Sequence, residues 1–269
     1  MMRILTHCVA ALALLPVLAW AAADPVLDVE INGNVQHYAR AQLLKRAEVR
    51  NIDVADDVSY HKAMRYRALP LSALIGKGKV KGEVQFTASD GFVANIPATL
   101  LEGAGEPYLA IEPADKRWPA LKAGSPSAGP FYLVWLAPQK GGVAQEQWPY
   151  QIAKITWKAQ SLTERFPEIV PKNVAAGSAE ERGLKVYTAN CASCHTINGA
   201  GDANIGPDLN IPANPTDYFQ GNYLRRLIRE PASVRTWKTR IMPGFSTKVL
   251  SDDDVDDVIA YLKLMSKQR

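Results

Sequence analysis

Cysteine is scarce in this chain of 269 residues, which has only Cys8, Cys191 and Cys194. Three cysteines cannot form the disulfide framework that holds small secreted domains together. Histidine is almost as rare, with four in the whole chain and none after His195. A structural zinc site needs four nitrogen or sulfur ligands, and no second ligand pair follows the last two cysteines to complete one.

A strong charge of one sign is also missing. The formal net charge is +4, and no basic tract is interleaved with aromatic residues, so the sequence gives no reason to expect nucleic acid as a partner. The mild positive charge is compatible with docking to an acidic protein surface. Apolar residues make up 47% and charged residues 22%, as in ordinary globular proteins, and the length predicts two domains.

Long apolar runs are confined to the N-terminus. Residues 1–23 contain Arg3, an apolar stretch from Val9 to Trp20 and three final alanines, which is the pattern of a cleavable export signal. The alternative is an uncleaved membrane anchor, but the stretch is shorter than the ~20 residues of a spanning helix and contains Pro16, which favours cleavage. We therefore expect a periplasmic protein with no stable membrane span after cleavage, which also removes Cys8.

One motif, Cys191-Ala192-Ser193-Cys194-His195, determines what the sequence can do. C-x-x-C-H is the attachment site of c-type haem: two thiols reach the vinyl groups of one porphyrin, and the adjacent imidazole can ligate iron. The motif predicts one covalent haem c per chain, with thioethers at Cys191 and Cys194 and His195 as an axial ligand. Zinc and a thioredoxin-like dithiol are the alternatives, although a dithiol site does not require the histidine.

A second axial ligand follows by elimination. After residue 177 the chain has two methionines, Met242 and Met265, and no histidine besides His195. Met265 lies on an apolar helical stripe, where packing explains it, whereas Met242 precedes Pro243 and Gly244 in a predicted loop. A loop can bring a thioether across a porphyrin, so we predict Met242 as the other axial ligand of the haem iron; the alternative is a gap-filling core methionine.

Residues 24–158 predict a β-rich α+β domain. The alternation of Glu83–Ala88 and then of Phe92, Ala94 and Ile96 around a Ser-Asp-Gly turn indicates a hairpin. Further strands are expected at Tyr108–Ile111, at Phe131–Leu136 and at Gln151–Trp157, where Ala153, Ile155 and Trp157 share one face; short helices are expected at Arg40–Arg46 and Leu71–Ile75.

Part of this domain, residues 66–157, resembles the molybdopterin-binding domain of the sulfite oxidase family. The resemblance is carried by the segments Tyr66–Leu71, Val84–Phe86, Asp90–Phe92, Ile96-Pro97, Leu109–Glu112, Gly129–Val134 and Gln147–Ile152. It implies a sulfite-oxidase-like fold. That family binds molybdenum through a cysteine thiolate, and residues 24–158 have no cysteine, which argues against molybdopterin as a cofactor.

His37 and His61 are the histidines of this domain, and with Asp56 and Asp57 they could make a partial metal site. Surface or hydrogen-bonded core histidines are the alternative, and the spacing does not decide between them. The role of the basic group Lys62, Arg65 and Arg67 is also undecided: it is either an anion-binding site or a solvated polar face.

Residues 159–177 are the predicted linker, because the alternation stops and Pro167 and Pro171 interrupt helices. Residues 178–269 then contain two predicted helix starts. Ser178 with Glu181, and Ser251 with Asp254, are helix-starting capping boxes, and the last helix has an apolar stripe.

This second domain resembles class I cytochrome c. The resemblance is carried by Gly183, Tyr187, Cys191–His195, Gly206–Leu209, Met242–Phe245 and Tyr261-Leu262. It implies an all-α class I cytochrome c fold in which the first and last helices cross near Gly183 and Tyr261. It also implies that the Pro207 carbonyl accepts the second ring N–H of His195.

Other basic residues of the second domain have open roles. Trp237 and Arg240 are candidate neighbours of the haem propionates. The densest basic stretch is either a docking face for an acidic partner or a combination of helix solvation and propionate neutralisation; it comprises Arg225, Arg226, Arg229, Arg235, Lys238 and Arg240.

Taken together, these patterns predict a periplasmic c-type cytochrome that carries single electrons from a dehydrogenase to a cytochrome or oxidase, with the first domain as a docking or scaffold module. A six-coordinate haem suits electron transfer better than substrate chemistry at iron. The alternative is an oxidoreductase whose first domain binds a small substrate or metal cofactor and passes electrons to the haem. The sequence leaves open whether the protein is an enzyme.

Overall fold

The computed structural model describes residues 23–76, 78, 81–203, 205–236 and 242–269. Within these ranges the N-terminal region is β-rich and the C-terminal region is helical. The strands are β1 (Val26–Ile31), β2 (Asn34–Ala39), β3 (Arg50–Asp57), β4 (Lys62–Pro70), β5 (Glu83–Ala88), β6 (Val93–Pro97), β7 (Pro107–Ile111), β8 (Phe131–Trp135) and β9 (Ile152–Lys158). The helices are α1 (Arg40–Leu43), α2 (Ser72–Ile75), α3 (Ala98–Leu101), α4 (Pro138–Gly141), α5 (Leu162–Arg165), α6 (Ala179–Asn190), α7 (Pro215–Tyr218), α8 (Tyr223–Arg229) and α9 (Asp252–Met265).

The N-terminal region contains two sheets. One has the order β2-β1-β9-β5-β6, with β1 parallel to β9, and the other has the order β3-β4-β7-β8. The predicted β5–β6 hairpin is confirmed, as are the strands predicted near β7 and β8. Every residue of β8 is buried, because the strand is covered on both faces. The sulfite-oxidase-like fold of this region stays a prediction.

The predicted shared face of Ala153, Ile155 and Trp157 is wrong in part. The pairing of β9 with β5 changes register between Thr87 and Ala88, so one residue of β9 is left unpaired. An extra residue in one strand reverses the side-chain alternation beyond it. Ile152 and Ile155 are therefore both buried, whereas Ala153 is exposed.

The helical region is built around the crossing of α6 and α9. Gly183 lies at this crossing, since a Cβ atom there would overlap the backbone oxygen of Asp257 and come within 2.6 Å of the Cβ of Tyr261. The rings of Tyr187 and Tyr261 pack beside it, with centroids 5.4 Å apart. The apolar stripe of α9 is buried here, including Met265, which is 1% exposed.

Serine caps begin both long helices. The Ser251 hydroxyl and the Asp254 side chain form the full reciprocal box predicted for α9. In α6 the Ser178 hydroxyl accepts the amide of Glu181, but the Glu181 carboxylate accepts the amide of Gly177 instead of that of Ser178. Of the two hydrogen bonds of the capping box predicted for α6, the one accepted by the Ser178 hydroxyl is therefore confirmed and the other is wrong.

The segment predicted as a linker is packed against the helical core. Ile169 is fully buried, and its carbonyl accepts a hydrogen bond of 2.7 Å from the Tyr261 hydroxyl. Segment 162–169 thus fixes the approach of the chain to α6. In the part of the chain that the structure describes, no helix has the length and apolar character needed to cross a bilayer.

Candidate functional site

The C-x-x-C-H motif forms a tight turn at the end of α6. The amide of Cys191 donates to the carbonyl of Tyr187 at 2.8 Å, and the amides of Cys194 and His195 both donate back to the carbonyl of Cys191 at 3.0 and 2.9 Å. The turn keeps the two cysteines close in space, and no disulfide joins them. The motif is thus a rigid extension of the helix core.

His195 is held at two points. Its Nδ1 lies 2.7 Å from the carbonyl oxygen of Pro207, the partner that the cytochrome resemblance implies, and its own carbonyl accepts the Tyr187 hydroxyl at 2.9 Å. A hydrogen bond at Nδ1 leaves Nε2 as the nitrogen available to a metal. Gly206 permits this packing, because a Cβ atom there would lie 2.5 Å from Cε1 of the imidazole.

The electrostatics of the motif differ from those of a redox dithiol. Burial, with a smaller contribution from the Glu146 carboxylate, raises the pKa of both Cys191 and Cys194 to about 12. Reactive dithiols have a lowered pKa, so the thioredoxin-like alternative is disfavoured. Burial also lowers the pKa of His195, although its hydrogen bond to Pro207 opposes the shift, and a neutral imidazole is the form that binds metal.

Asp208 organises the loop that presents Pro207. Its carboxylate accepts the Thr196 hydroxyl and the backbone amides of Gly199, Asn210 and Ile211, at 2.7–2.8 Å. Burial opposes ionisation here, but these donors outweigh it and lower the pKa of Asp208. Its anchoring role was not recognisable in the sequence, because an acidic residue in a loop is usually solvated.

Met242 is half-buried and begins the loop that precedes α9. The loop is fixed to α8: the Phe245 amide donates to the carbonyl of Ile228 at 3.0 Å, and the Arg229 guanidinium donates to the carbonyls of Phe245, Leu250 and Ser251. Trp237, Lys238 and Arg240 lie outside the described residues.

Two of the four described arginines of the basic stretch, Arg225 and Arg229 on α8, are paired with carboxylates of the chain. Arg225 pairs with Asp252 and Asp256, and Arg229 pairs with Asp252 at 2.7 Å. The acidic start of α9, which is favourable near the positive helix end, supplies these partners. This weakens the case for Arg225 and Arg229 as part of a docking face for an acidic partner, whereas the other two described arginines of the stretch have no ion pair among the described residues.

A cleft of about 600 Å³ opens between the motif and the N-terminal region. This volume is in the range of cofactor sites. Its helical side contains Cys194, Ile205, Pro243 and Gly244, and its β-rich side contains His61, Phe92, Glu146, Trp148 and Tyr150. One motif thiol and the loop beginning at Met242 thus border the same space, as a covalent haem with two axial ligands requires, and the residues present fit that group.

The two N-terminal histidines have different surroundings. His37 on β2 is exposed and lies 2.7 Å from Asp28, whereas His61 occupies the β3–β4 turn and lines the cleft. Asp57 is fully buried and accepts the hydroxyls of Tyr66 and Tyr132. No cluster of three or more potential metal ligands occurs among the residues that the structure describes.

Sequence reasoning also missed the contact between the two regions. The Arg165 guanidinium donates to the Asp202 carboxylate at 2.8 Å and to the Asn95 side chain at 2.9 Å. The amide of Val93 on β6 donates to the carbonyl of Ser193 inside the motif at 3.1 Å. These partners are far apart in sequence, so no local pattern reveals them.

Comparison with known proteins identifies relatives of the helical region. A family model described as Cytochrome c matches residues 180–266. Cytochrome c6 from Bumilleriopsis filiformis is 32% identical over 88 residues, which are 33% of this chain and 93% of that protein.

The cytochrome bc1 complex cytochrome c subunit of Corynebacterium diphtheriae is 35% identical over 86 residues, and that of Mycobacterium tuberculosis is 34% identical over 92 residues. These segments cover 30% and 33% of this chain. The chain spans about a quarter of the length of these two subunits, 26% and 28% respectively.

Proposed function

We propose, from the premise that this chain belongs to the cytochrome c family, that it carries single electrons through one haem c attached to Cys191 and Cys194. The observation that carries the proposal is the meeting of three features at one cleft. They are the thiol of Cys194 in the cleft wall, Pro243 and Gly244 of the loop that starts at Met242 in the same wall, and next to Cys194 in sequence the His195 ring, which the Pro207 carbonyl orients. A haem c bound there supplies one-electron exchange between ferric and ferrous iron.

The chain's own residues prepare this site before any electron moves. The Pro207 carbonyl holds Nδ1 of His195, so Nε2 is the nitrogen that would hold the haem iron as proximal ligand. Arg229 fixes the loop from which Met242 supplies the distal thioether. A haem held by His195 and Met242 would leave no coordination position for substrate and would supply one-electron exchange with little rearrangement.

The location and partners follow from the same proposal. Haem attachment takes place outside the cytoplasm, which agrees with residues 1–23 acting as an export signal and with a periplasmic protein. A dehydrogenase is the proposed donor and a cytochrome or oxidase the proposed acceptor. The cytochrome bc1 complex subunits among the relatives support a respiratory setting. The N-terminal domain positions the haem site relative to these partners.

The test is the visible spectrum of the purified protein with Met242→Ala as the variant and Met64→Ala as the control. Met64 lies on β4, in the N-terminal sheets. We expect a low-spin spectrum typical of histidine and methionine ligation in the wild type and in the control. Met242→Ala should lose that spectrum and have a lower reduction potential. An unchanged spectrum in Met242→Ala would refute the distal ligand.

Metal analysis separates this function from the enzymatic alternative. One iron per chain, without molybdenum or copper, is the result expected for the carrier. Stoichiometric molybdenum or copper in addition to iron would favour an oxidoreductase whose N-terminal domain holds the second metal. Binding of carbon monoxide by the native ferrous protein would contradict a methionine-ligated iron, because it requires an open position.

A further inference from the structure

The N-terminal domain is fixed against the haem-binding motif by contacts that reach the motif itself. The backbone amide of Val93 donates to the Ser193 carbonyl at 3.1 Å, between the two cysteines. Beside it, Asp202 follows the motif in sequence and is held by both Arg165 and Asn95. Arg165 and Asp202 each have only 16% of their side chain exposed, so this contact is shielded from water.

The same face of the N-terminal domain borders the cleft. Residues 145–147 form a 3₁₀ turn that contacts α6, the helix that leads into the motif. Glu146 in this turn, with Trp148 and Tyr150 just after it, lines the cleft that also contains Cys194. The cleft therefore has one wall from each domain.

Glu146 is a carboxyl group in this wall. Its nearest polar partner is the side-chain amide of Gln145, at 3.2 Å, and no ion pair to it is present among the described residues. Burial raises the pKa of Glu146 to about 7. Its charge is felt at the motif, since it raises the pKa of Cys191 and Cys194. The other titratable groups facing this space are His61, Asp90, Lys122 and Tyr150.

We propose that the N-terminal domain forms the second wall of the haem cleft and that the carboxylate of Glu146 in this wall lowers the reduction potential of the haem. This inference rests on the proposed haem at Cys191 and Cys194. The physical reason is that ferric haem carries one more positive charge than ferrous haem, so a nearby anion stabilises the oxidised form. In a partly enclosed cleft the effective dielectric constant is lower than in bulk water, so this interaction is stronger than it is at the surface.

The experiment is spectroscopic redox titration of the full-length protein between about pH 5.5 and pH 8.5, with Glu146→Gln as the variant. Glutamine keeps the shape and removes the charge. In the wild type the midpoint potential should fall as the pH rises through the titration of the carboxyl. Glu146→Gln should have a higher midpoint than the wild type at about pH 8.5 and the same midpoint at about pH 5.5, where the wild-type carboxyl is protonated.

Glu106→Gln is the matched control, because Glu106 is an exposed carboxylate of the same domain that lies away from the cleft lining. The midpoint potential of Glu106→Gln should equal that of the wild type at every pH. Coincident curves for the wild type and Glu146→Gln would overturn the inference. Glu146→Asp retains the carboxyl group and is the second variant, to be used if Glu146→Gln does not accumulate. Loss of the pH dependence of the midpoint potential in Glu146→Asp would also overturn the inference.

The spectrum separates this failure from failure of the proposed function. If the wild type has an attached haem but its midpoint potential equals that of Glu146→Gln at every pH, the role of Glu146 is refuted and the proposed electron carrier stands. A wild-type protein without a haem spectrum refutes both.

Discussion

Replacement of Gly183 by alanine tests the helix crossing that supports the site. A methyl group at this position would overlap the Asp257 backbone oxygen and lie 2.6 Å from the Cβ of Tyr261. Neither atom can be moved by rotating a side chain, so α6 and α9 must separate. Overpacking of this kind costs about 1–3 kcal/mol and more when backbone is involved, so we take about 3–4 kcal/mol here.

Helix propensity acts in the opposite direction. Alanine is favoured over glycine by about 1 kcal/mol inside a helix, which leaves a net destabilisation of about 2–3 kcal/mol. For a chain of this size that corresponds to a fall of about 4–10 °C in the Tm of the helical region. The assay is thermal unfolding followed by helical circular dichroism, with and without the attached haem.

Lys185→Ala is the matched control, because Lys185 is an exposed residue of the same helix. Its stability should stay within about 0.5 kcal/mol of the wild type. A Gly183→Ala protein that is as stable as the wild type, or more stable, would show that propensity outweighs crowding and that the two helices do not pack as closely as described.

Three further predictions concern the contacts around the cleft. Arg165→Met should destabilise the contact between the β-rich and helical regions by about 2 kcal/mol, a value between those of exposed and buried ion pairs. Denaturant unfolding measures this change, and an unchanged midpoint would contradict the contact. Burial alone would raise the pKa of Asp202, but the hydrogen bond and charge of Arg165 outweigh burial, so the pKa is lowered. The stability that ionised Asp202 contributes is therefore present above about pH 3.8 and is lost as the pH falls through the lowered pKa. Limited proteolysis between the two regions should increase only in that acidic range. Arg229→Gln removes hydrogen bonds to the Met242 loop and should weaken methionine ligation in the visible spectrum, whereas Arg226→Gln, on the same helix, should leave the spectrum intact.

Local patterns predicted the elements that depend on neighbouring residues. The alternation of residues 83–88 gives strand β5 with the expected bounds, and Ser251 with Asp254 gives the start of α9. These signals are reliable because strand alternation and helix capping involve residues a few positions apart. The same holds for the C-x-x-C-H motif, whose chemistry depends on its internal spacing.

What could not be predicted depends on pairs that are distant in sequence. The register change that exposes Ala153 arises from the pairing of β9 with β5, about 65 residues earlier. Glu146 gives no signal in the sequence, because a single glutamate between two glutamines is ordinary at a surface. Only the packing of its turn against α6 brings it to the cleft.

The basic stretch on α8 illustrates a different limit. Its charge density was compatible with a docking face, but sequence spacing does not show whether a guanidinium is already paired. The structure pairs Arg225 and Arg229 with the acidic start of α9. The sequence shows the basic residues of α8 and the acidic residues of α9 separately, but only the folded structure shows that they lie next to each other.

The most direct test of the central claim is the intact mass of the denatured mature protein together with its absorption spectrum after solvent extraction. We expect the polypeptide to keep its colour and to be heavier by one haem, and we expect Cys191→Ala combined with Cys194→Ala to remove both the added mass and the colour. A wild-type polypeptide with the bare mass of the chain, or one that loses its colour to the solvent, would contradict covalent attachment.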